Sequence, residues 1–222
     1  MKRIVVDTED NSKTLLIDNT EVTYHSRHGA FTESTHIFLE NGLKYFAGED
    51  KITVFEMGFG TGLNAILSAV YAQKHNLIVT YHSIEKYPLS IQEITAVKPS
   101  HAFANDEIIK YFDMAHDCEW ESTTKMNSFF ELFKTQNDIH HYKLQPLSYH
   151  IIFFDAFGPK FQPDLWYPNI LEKMYNSLKS GGILITYCAQ GQFKRDLKSV
   201  GFEVENLPGP PGKREITRAI KP

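Results

Sequence analysis

From residue 50 onward, short β-rich runs alternate with stretches of helical period. Residues 52–56 (Ile-Thr-Val-Phe-Glu) run directly into a cluster of three glycines and then into an apolar helical stretch over 63–73. Strand, tight loop and helix therefore form one unit. A second β-rich run over 78–84 ends at Glu85, and a helix over about 90–97 stops before Pro99. Residues 129–134 read as the third strand. Ile151, Ile152, Phe153 and Phe154 form the continuous apolar run expected of a central parallel strand covered on both faces. Apolar residues at 165, 170, 171, 174, 175 and 178 predict a helix over 164–179, closed by Gly181 and Gly182. A strand over 183–188 and a helix over 193–200 follow. Two final strands, 202–207 and 215–220, are joined by a Pro/Gly-rich turn over 208–212.

Ahead of this core, alternating runs at 2–6 and 14–17 flank a polar stretch and predict a small hairpin, a lid or flap beside the main fold. Residues 24–30 have no period and read as a loop that leads into a short helix over about 33–39. The pattern over 100–125 is weak, and helix and loop are expected there. The alternation predicts an α/β fold with a mostly parallel seven-stranded sheet and an antiparallel C-terminal hairpin. At 222 residues, one core is the natural reading, divided into an N-terminal hairpin and substrate-side extension over 1–48 and a catalytic domain over 49–222.

Composition narrows the class. Nothing approaches the roughly 18 apolar residues needed to span a bilayer, and acidic residues at 7, 9 and 10 interrupt the N-terminus, so no membrane association and a cytoplasmic location are expected. Two cysteines, Cys118 and Cys188, are too few for a disulfide framework, and neither has a zinc-site spacing; no metal is expected. The net charge of −4 argues mildly against indiscriminate nucleic-acid binding, yet from residue 191 onward seven Lys or Arg face four acids. A basic end on an acidic body suits a phosphate-rich partner, and it equally suits an ordinary solvated face.

The glycines fall as Gly58-x-Gly60-x-Gly62 between strand and helix, where backbone N–H groups approach a ligand closely and the helix start favours a negative group. Leu63 stands where a dinucleotide fingerprint places its last glycine, which removes most support for NAD. Glu85 follows Gly62 by 23 residues, near the spacing at which a carboxylate accepts both ribose hydroxyls; a surface carboxylate paired with Lys86 is the plainer alternative. Asp138, after the third strand, is a candidate acceptor for an adenine amino group, with Asn137 as rival and a simple turn residue as a third reading. Asp155 stands at the carboxyl end of the central strand, where an open α/β sheet presents ligands. A carboxylate there can hold or deprotonate an amine, or merely cap the turn. Phe157 and Pro159 could line an aromatic slot for a base.

Several segments together carry a more specific signal: Tyr24-His25-Ser26-Arg27-His28-Gly29-Ala30 with Glu33-Ser34; Glu56-Met57-Gly58-Phe59-Gly60-Thr61-Gly62-Leu63-Asn64; Ser83-Ile84-Glu85-Lys86-Tyr87-Pro88-Leu89; Phe154-Asp155-Ala156-Phe157-Gly158-Pro159 with Asp164-Leu165-Trp166; and Gly212-Lys213-Arg214-Glu215. In this order, across nearly the whole chain, they resemble the MnmC-like tRNA methyltransferases in their stand-alone form. The resemblance implies a Rossmann-like class I SAM-dependent methyltransferase. Its activity would be transfer of a methyl group from S-adenosyl-L-methionine (SAM) to the exocyclic amine of 5-aminomethyl-2-thiouridine at the tRNA wobble position. It places the family's catalytic aspartate at Asp155. Cofactor binding is expected of Glu56, Gly58, Gly60, Gly62, Asn64, Glu85, Lys86 and Asp138. Substrate contacts fall to Phe157, Pro159, Lys213 and Arg214. The two-domain members' FAD-dependent oxidase half is absent from this sequence, so removal of a carboxymethyl group is not expected of it. The resemblance rests on no motif within residues 100–125 and leaves that stretch uninterpreted. Aminopropyl transfer from decarboxylated SAM, another small-molecule N-methylation, and a non-catalytic SAM-binding or RNA-binding module are the competing readings.

Overall fold

In a computed structural model of the chain, residues 2–101 and 104–222 are described. Ten strands and six α-helices follow one another as β1 (Arg3–Asp7), β2 (Lys13–Ile17), α1 (Ala30–Ser34), β3 (Lys51–Met57), α2 (Leu63–His75), β4 (Ile78–Glu85), α3 (Ile91–Val97), α4 (Asp106–Asp117), β5 (Thr123–Asn127), β6 (Phe130–Gln136), β7 (Tyr149–Phe154), α5 (Pro168–Ser177), β8 (Leu178–Thr186), α6 (Gly191–Ser199), β9 (Glu203–Pro208) and β10 (Glu215–Ile220). Strands β3 to β10 build one sheet in the order β5-β6-β4-β3-β7-β8-β10-β9, and β1 and β2 pair separately as an antiparallel hairpin.

The sheet is mostly parallel, with β10 antiparallel to both β8 and β9 as expected. It has eight strands rather than seven, because β5 returns antiparallel along the outer edge of β6. Only Met126 of β5 is buried, so this edge strand shows no alternation long enough to read from sequence. Within the weakly patterned 100–125 segment lies α4, started by the Asn105 side chain, which accepts the Ile108 N–H; Phe103 falls outside the described residues. The helix expected over 164–179 is divided. A 3₁₀ turn, Pro163–Trp166, precedes α5, which starts at Pro168 and ends at Ser177. Proline lacks the N–H that would have carried the helix through, and it is preorganised for a first turn. The next strand then begins at Leu178, earlier than expected, with an irregular pairing against β7 between Tyr149 and Ile151. The short helix over 33–39 begins at Ala30 and continues as a π-helical turn, Thr35–Glu40.

Both faces of the sheet are covered. Ile52 and Val54 of β3, with Ile151 and Phe153 of β7, pack towards α2, α4 and the N-terminal helical turn. Phe55 and Met57, with Ile152 and Phe154, pack towards α5 and α6. Two covered faces explain why β7 reads as an unbroken apolar run. They also explain why α2, overlaid by α4 and by the Thr35–Glu40 turn, buries residues all round, including Asn64 and Ser68.

From β3 the chain builds outward through β4 to β6, then returns to the other side of β3 as β7. The direction of growth reverses between β3 and β7, which opens a crevice at the carboxyl ends of these strands. The N-terminal hairpin lies beside it. Asp10 fastens the hairpin to α1 by accepting the Ser12 hydroxyl at 2.6 Å and the Thr32 N–H at 3.2 Å, and Arg3 reaches Glu93 of α3 at 2.9 Å.

Candidate active site

The loops at the strand ends hang on one another. Gly58 N–H donates to the Ile84 carbonyl at 3.0 Å, Asn137 N–H to the Glu85 carbonyl at 3.1 Å, and Asp155 N–H to the Met57 carbonyl at 3.2 Å. Between them lies a cleft of about 360 Å³. Gly58, Gly60, Asn64, Glu85, Lys86, Asp138, Asp155, Phe157 and Lys213 line it, whereas Glu56, Gly62, Pro159 and Arg214 do not.

Gly58 has φ of +98°, and a Cβ there would sit 2.9 Å from the Asp155 carbonyl oxygen, so only glycine lets β3 turn this closely against the end of β7. Gly60, at φ +52°, faces the Tyr24 ring, which a Cβ would approach to 3.2 Å. Its N–H donates to Glu85 Oε2 at 3.1 Å, while Glu85 Oε1 accepts the Tyr87 N–H at 2.8 Å. Glycine loop and Glu85 thus form one connected unit. Lys86 instead pairs with Asp138 at 2.9 Å. The other Asp138 oxygen accepts the His140 backbone N–H at 3.0 Å and contacts His140 Nδ1 at 2.7 Å. Burial works against the Asp138 charge, but the Lys86 and His140 hydrogen bonds outweigh it and hold the carboxyl below the usual range. An adenine amino group there would share an acceptor already engaged.

Glu56 lies behind the loop, fully buried, with Ser83 Oγ donating to its Oε2 at 2.6 Å and, among the described residues, no hydrogen-bond partner for its Oε1. Burial pushes its carboxyl up to about 8 against the Ser83 hydrogen bond, and the Asp155 charge adds to the rise. Asn64, on the first turn of α2, bridges from this layer to the cleft by donating Nδ2–H to Asp155 Oδ2 at 2.8 Å. Asp155 itself stays partly accessible through the cleft. Burial, then the nearby Glu33 charge, pushes it up to about 7 against the Asn64 hydrogen bond. A carboxyl poised near neutrality can accept a proton from a positioned cationic group and release it again.

Phe157 packs edge-on against Tyr24, with ring centroids 4.9 Å apart, and makes an aromatic wall beside Asp155. Lys213 enters the same end of the cleft and pairs with Glu33. The basic C-terminal end is accordingly less free than its composition suggests. Lys194 pairs with Glu215 and Arg218 with Glu205, and Lys221 donates to the Tyr175 and Leu178 carbonyls, while Arg214 is exposed.

Several cleft residues escaped the sequence reading. Arg3 arrives from the hairpin with nothing in the sequence to announce it, its guanidinium 5.7 Å from the Tyr24 ring centroid. Tyr187 was accessible to the rule that found Asp155, since it follows the carboxyl end of β8, but it stands in no motif.

The reversal point, the glycine turn tied to an acidic strand end, and a carboxylate facing both define a nucleotide-type cofactor cleft of the methyltransferase kind. A profile of the S-adenosyl-L-methionine-dependent methyltransferase family matches residues 98–222, more than half of the chain, and the chain belongs to that family. Within it the chain is similar to MnmC proteins. It is 28% identical to the tRNA 5-methylaminomethyl-2-thiouridine biosynthesis bifunctional protein MnmC of Pseudoalteromonas atlantica, over 93% of this chain and 32% of that protein. To the protein MJ0670 of Methanocaldococcus jannaschii it is 26% identical, over 99% of this chain and 60% of that one. MNMC2 from Aquifex aeolicus has the same fold, with a TM-score of 0.79 at 22% identity over 100% of this chain and 71% of that one. The chain therefore spans about a third of the MnmC relative's length. Among the described residues no helix is long and apolar enough to cross a membrane.

The residues present fit SAM. The Gly58–Gly60 turn lines the cleft, and Glu85 faces it with the carboxylate lone pairs that the Gly60 and Tyr87 N–H groups leave free to accept from a ribose.

Proposed function

We propose that this chain methylates the exocyclic amine of 5-aminomethyl-2-thiouridine at the wobble position of tRNA, giving 5-methylaminomethyl-2-thiouridine. The observation that carries this reading is Asp155, a carboxyl pushed up to about 7 at the point where the cofactor cleft meets an aromatic wall. The similarity to MnmC, a protein of tRNA 5-methylaminomethyl-2-thiouridine biosynthesis, supports the choice of nucleoside.

When bound, SAM supplies a methyl group activated by its sulfonium charge. In this reading the Gly58–Gly60 turn and Glu85 hold the cofactor, with Asn137 and Asp138 at its adenine end. Gly62, at the start of α2, and Glu56, behind the loop, act by shaping the turn rather than by contact. Phe157 and Tyr24 flank the nucleobase. A primary alkyl amine is largely protonated near neutral pH and then has no lone pair with which to attack. Asp155 holds the ammonium by a charge-assisted hydrogen bond, orients it, and accepts one proton from the nitrogen, while Asn64 fixes the carboxylate's direction.

The deciding experiment is incubation with SAM and tRNA carrying 5-aminomethyl-2-thiouridine, followed by nucleoside mass analysis. A gain of one methyl on that nucleoside supports the reading. No gain there, with transfer to a free polyamine when decarboxylated SAM is supplied, would replace it with aminopropyl transfer.

A further inference from the structure

The end of the cleft beyond Asp155 already holds an alkylammonium, and it is the chain's own. Lys213, from the turn between β9 and β10, reaches into the cleft, where its Nζ pairs with Glu33 Oε1 and lies 4.5 Å from the centroid of the Tyr187 ring. Glu33 is only 8% exposed, and its second oxygen accepts the Ser26 N–H at 2.7 Å, so the carboxylate is fixed in direction. Tyr187 is fixed as well, because its hydroxyl donates to the Ala156 carbonyl at 2.7 Å, one residue from Asp155. His25, in the same wall, is kept uncharged by burial, which lowers it to about 4 although Glu33 opposes the shift. An immobile carboxylate next to an aromatic face is the environment that recognises a primary ammonium: one group accepts its N–H bonds and the other faces its charge.

We propose that Lys213 is a resident stand-in for the substrate's ammonium. Its Nζ fills the niche formed by Glu33 and Tyr187 while the cleft is empty, and an incoming primary alkylammonium displaces it. The inference rests on the amine-acceptor reading above and makes Glu33 and Tyr187 selectors of the acceptor's cation. Two physical reasons favour a resident cation. A buried carboxylate with no cation is costly, and the Glu33 charge already opposes ionisation of Asp155. Exchanging one ammonium for another leaves the local charge unchanged, so the substrate does not have to neutralise Glu33 afresh. Lys213 sits on an exposed Pro/Gly-rich turn, from which its ammonium can return to water.

The test needs no tRNA. Lys213→Ala, with Lys213→Ser as the second variant should the first fold poorly, is titrated with methylammonium chloride while its unfolding midpoint is followed. Sodium chloride and tetramethylammonium chloride at equal ionic strength serve as controls. At ten times its dissociation constant, methylammonium should raise the midpoint by about 3 °C or more, with no comparable effect of the controls. In wild type, where the tethered Lys213 ammonium competes for the niche, the same shift should need a methylammonium concentration at least about tenfold higher, and Glu33→Gln combined with Lys213→Ala should abolish the response. Equal responses to all three salts, or a selective response kept in the double variant, would overturn the proposal. In the wild-type background, Glu33→Gln should raise KM for aminomethyl-tRNA about tenfold with a smaller change in kcat, and Glu33→Asp should partly restore it. An unchanged KM would also overturn it. A wild type inactive on aminomethyl-tRNA but carrying the selective methylammonium niche in Lys213→Ala would remove the tRNA substrate and leave the niche standing.

Discussion

Replacing Asp155 by Asn separates catalysis from stability, because the two should move in opposite directions. Asn keeps the shape of the side chain and a carbonyl oxygen to accept from Asn64, and removes only the charge. In the folded protein the Asp155 carboxyl is pushed from its ordinary 3.8 to about 7, chiefly by burial. The sign follows from linkage. Between these values the folded state keeps a proton that the unfolded chain has lost, so stability from this group is complete below the unfolded value and disappears as pH rises through 7. At ~1.36 kcal/mol per unit, the full loss is about 4 kcal/mol, of which about 2–3 kcal/mol falls between pH 5 and 8. Glu56 is present in both proteins, but relief from the Asp155 charge lets it ionise more easily in the variant, which adds in the same direction. Asp155→Asn should therefore be more stable than wild type at pH 8, and its advantage should shrink by about 5–10 °C in unfolding midpoint at pH 5. Single-turnover methylation at pH 8 should fall by about 10²–10⁴-fold while SAM binding survives. A midpoint difference independent of pH would refute the raised carboxyl. Near-wild-type turnover by the folded variant would remove Asp155 from the mechanism.

Four further outcomes follow from the same geometry. Gly60→Val should abolish SAM binding, since Gly60 has positive φ and a side chain there meets the Tyr24 ring, and Glu85→Ala should weaken it by about 1–3 kcal/mol through lost hydroxyl acceptance; calorimetric titration checks both, and undiminished affinity in both variants would remove the assigned cradle. Glu56→Gln keeps an acceptor for Ser83 and removes a carboxyl pushed up to about 8, so the stability that wild type loses as pH rises through 8 should be retained by the variant in unfolding scans at pH 7 and 9. Arg214→Ala, at an exposed basic position, should weaken tRNA binding and flatten the slope of log affinity against log salt by about 0.9 if it meets a phosphate; an unchanged slope would assign it to the solvated surface.

The parallel core was legible because its signals are local. Ile151 to Phe154 must be apolar on both sides, and Gly58, Gly60 and Gly62 must be free of side chains, wherever the rest of the chain goes. What escaped depends on partners distant in sequence. β5 is held by β6 and not by any pattern of its own, and Pro168 stopped a helix whose apolar period carried on across it. In the site, Asp155 and Glu85 could be placed from strand ends alone. The Lys86–Asp138 pair, by contrast, joins two residues that had been read as separate cofactor contacts. Lys213 depends on a distant partner as well. Its charge was counted in a basic tail, although Glu33, 180 positions earlier, claims it.

The cleft is furnished from two sources, and this has a consequence for how such proteins diversify. In the proposed reading, its cofactor side comes from loops that follow β3, β4 and β6 and are braced on neighbouring strands. Its acceptor side comes largely from elsewhere: Tyr24 and Glu33 from the segment around α1, Tyr187 after β8, and Lys213 from the last turn. Selection can therefore rewrite the acceptor wall, by substitution in an N-terminal stretch and a hairpin tip, without disturbing the braced half on which the methyl donor depends. A lineage that acquires a new amine substrate by this route is expected to carry its changes in those two segments and to retain the glycine turn and Glu85 unaltered.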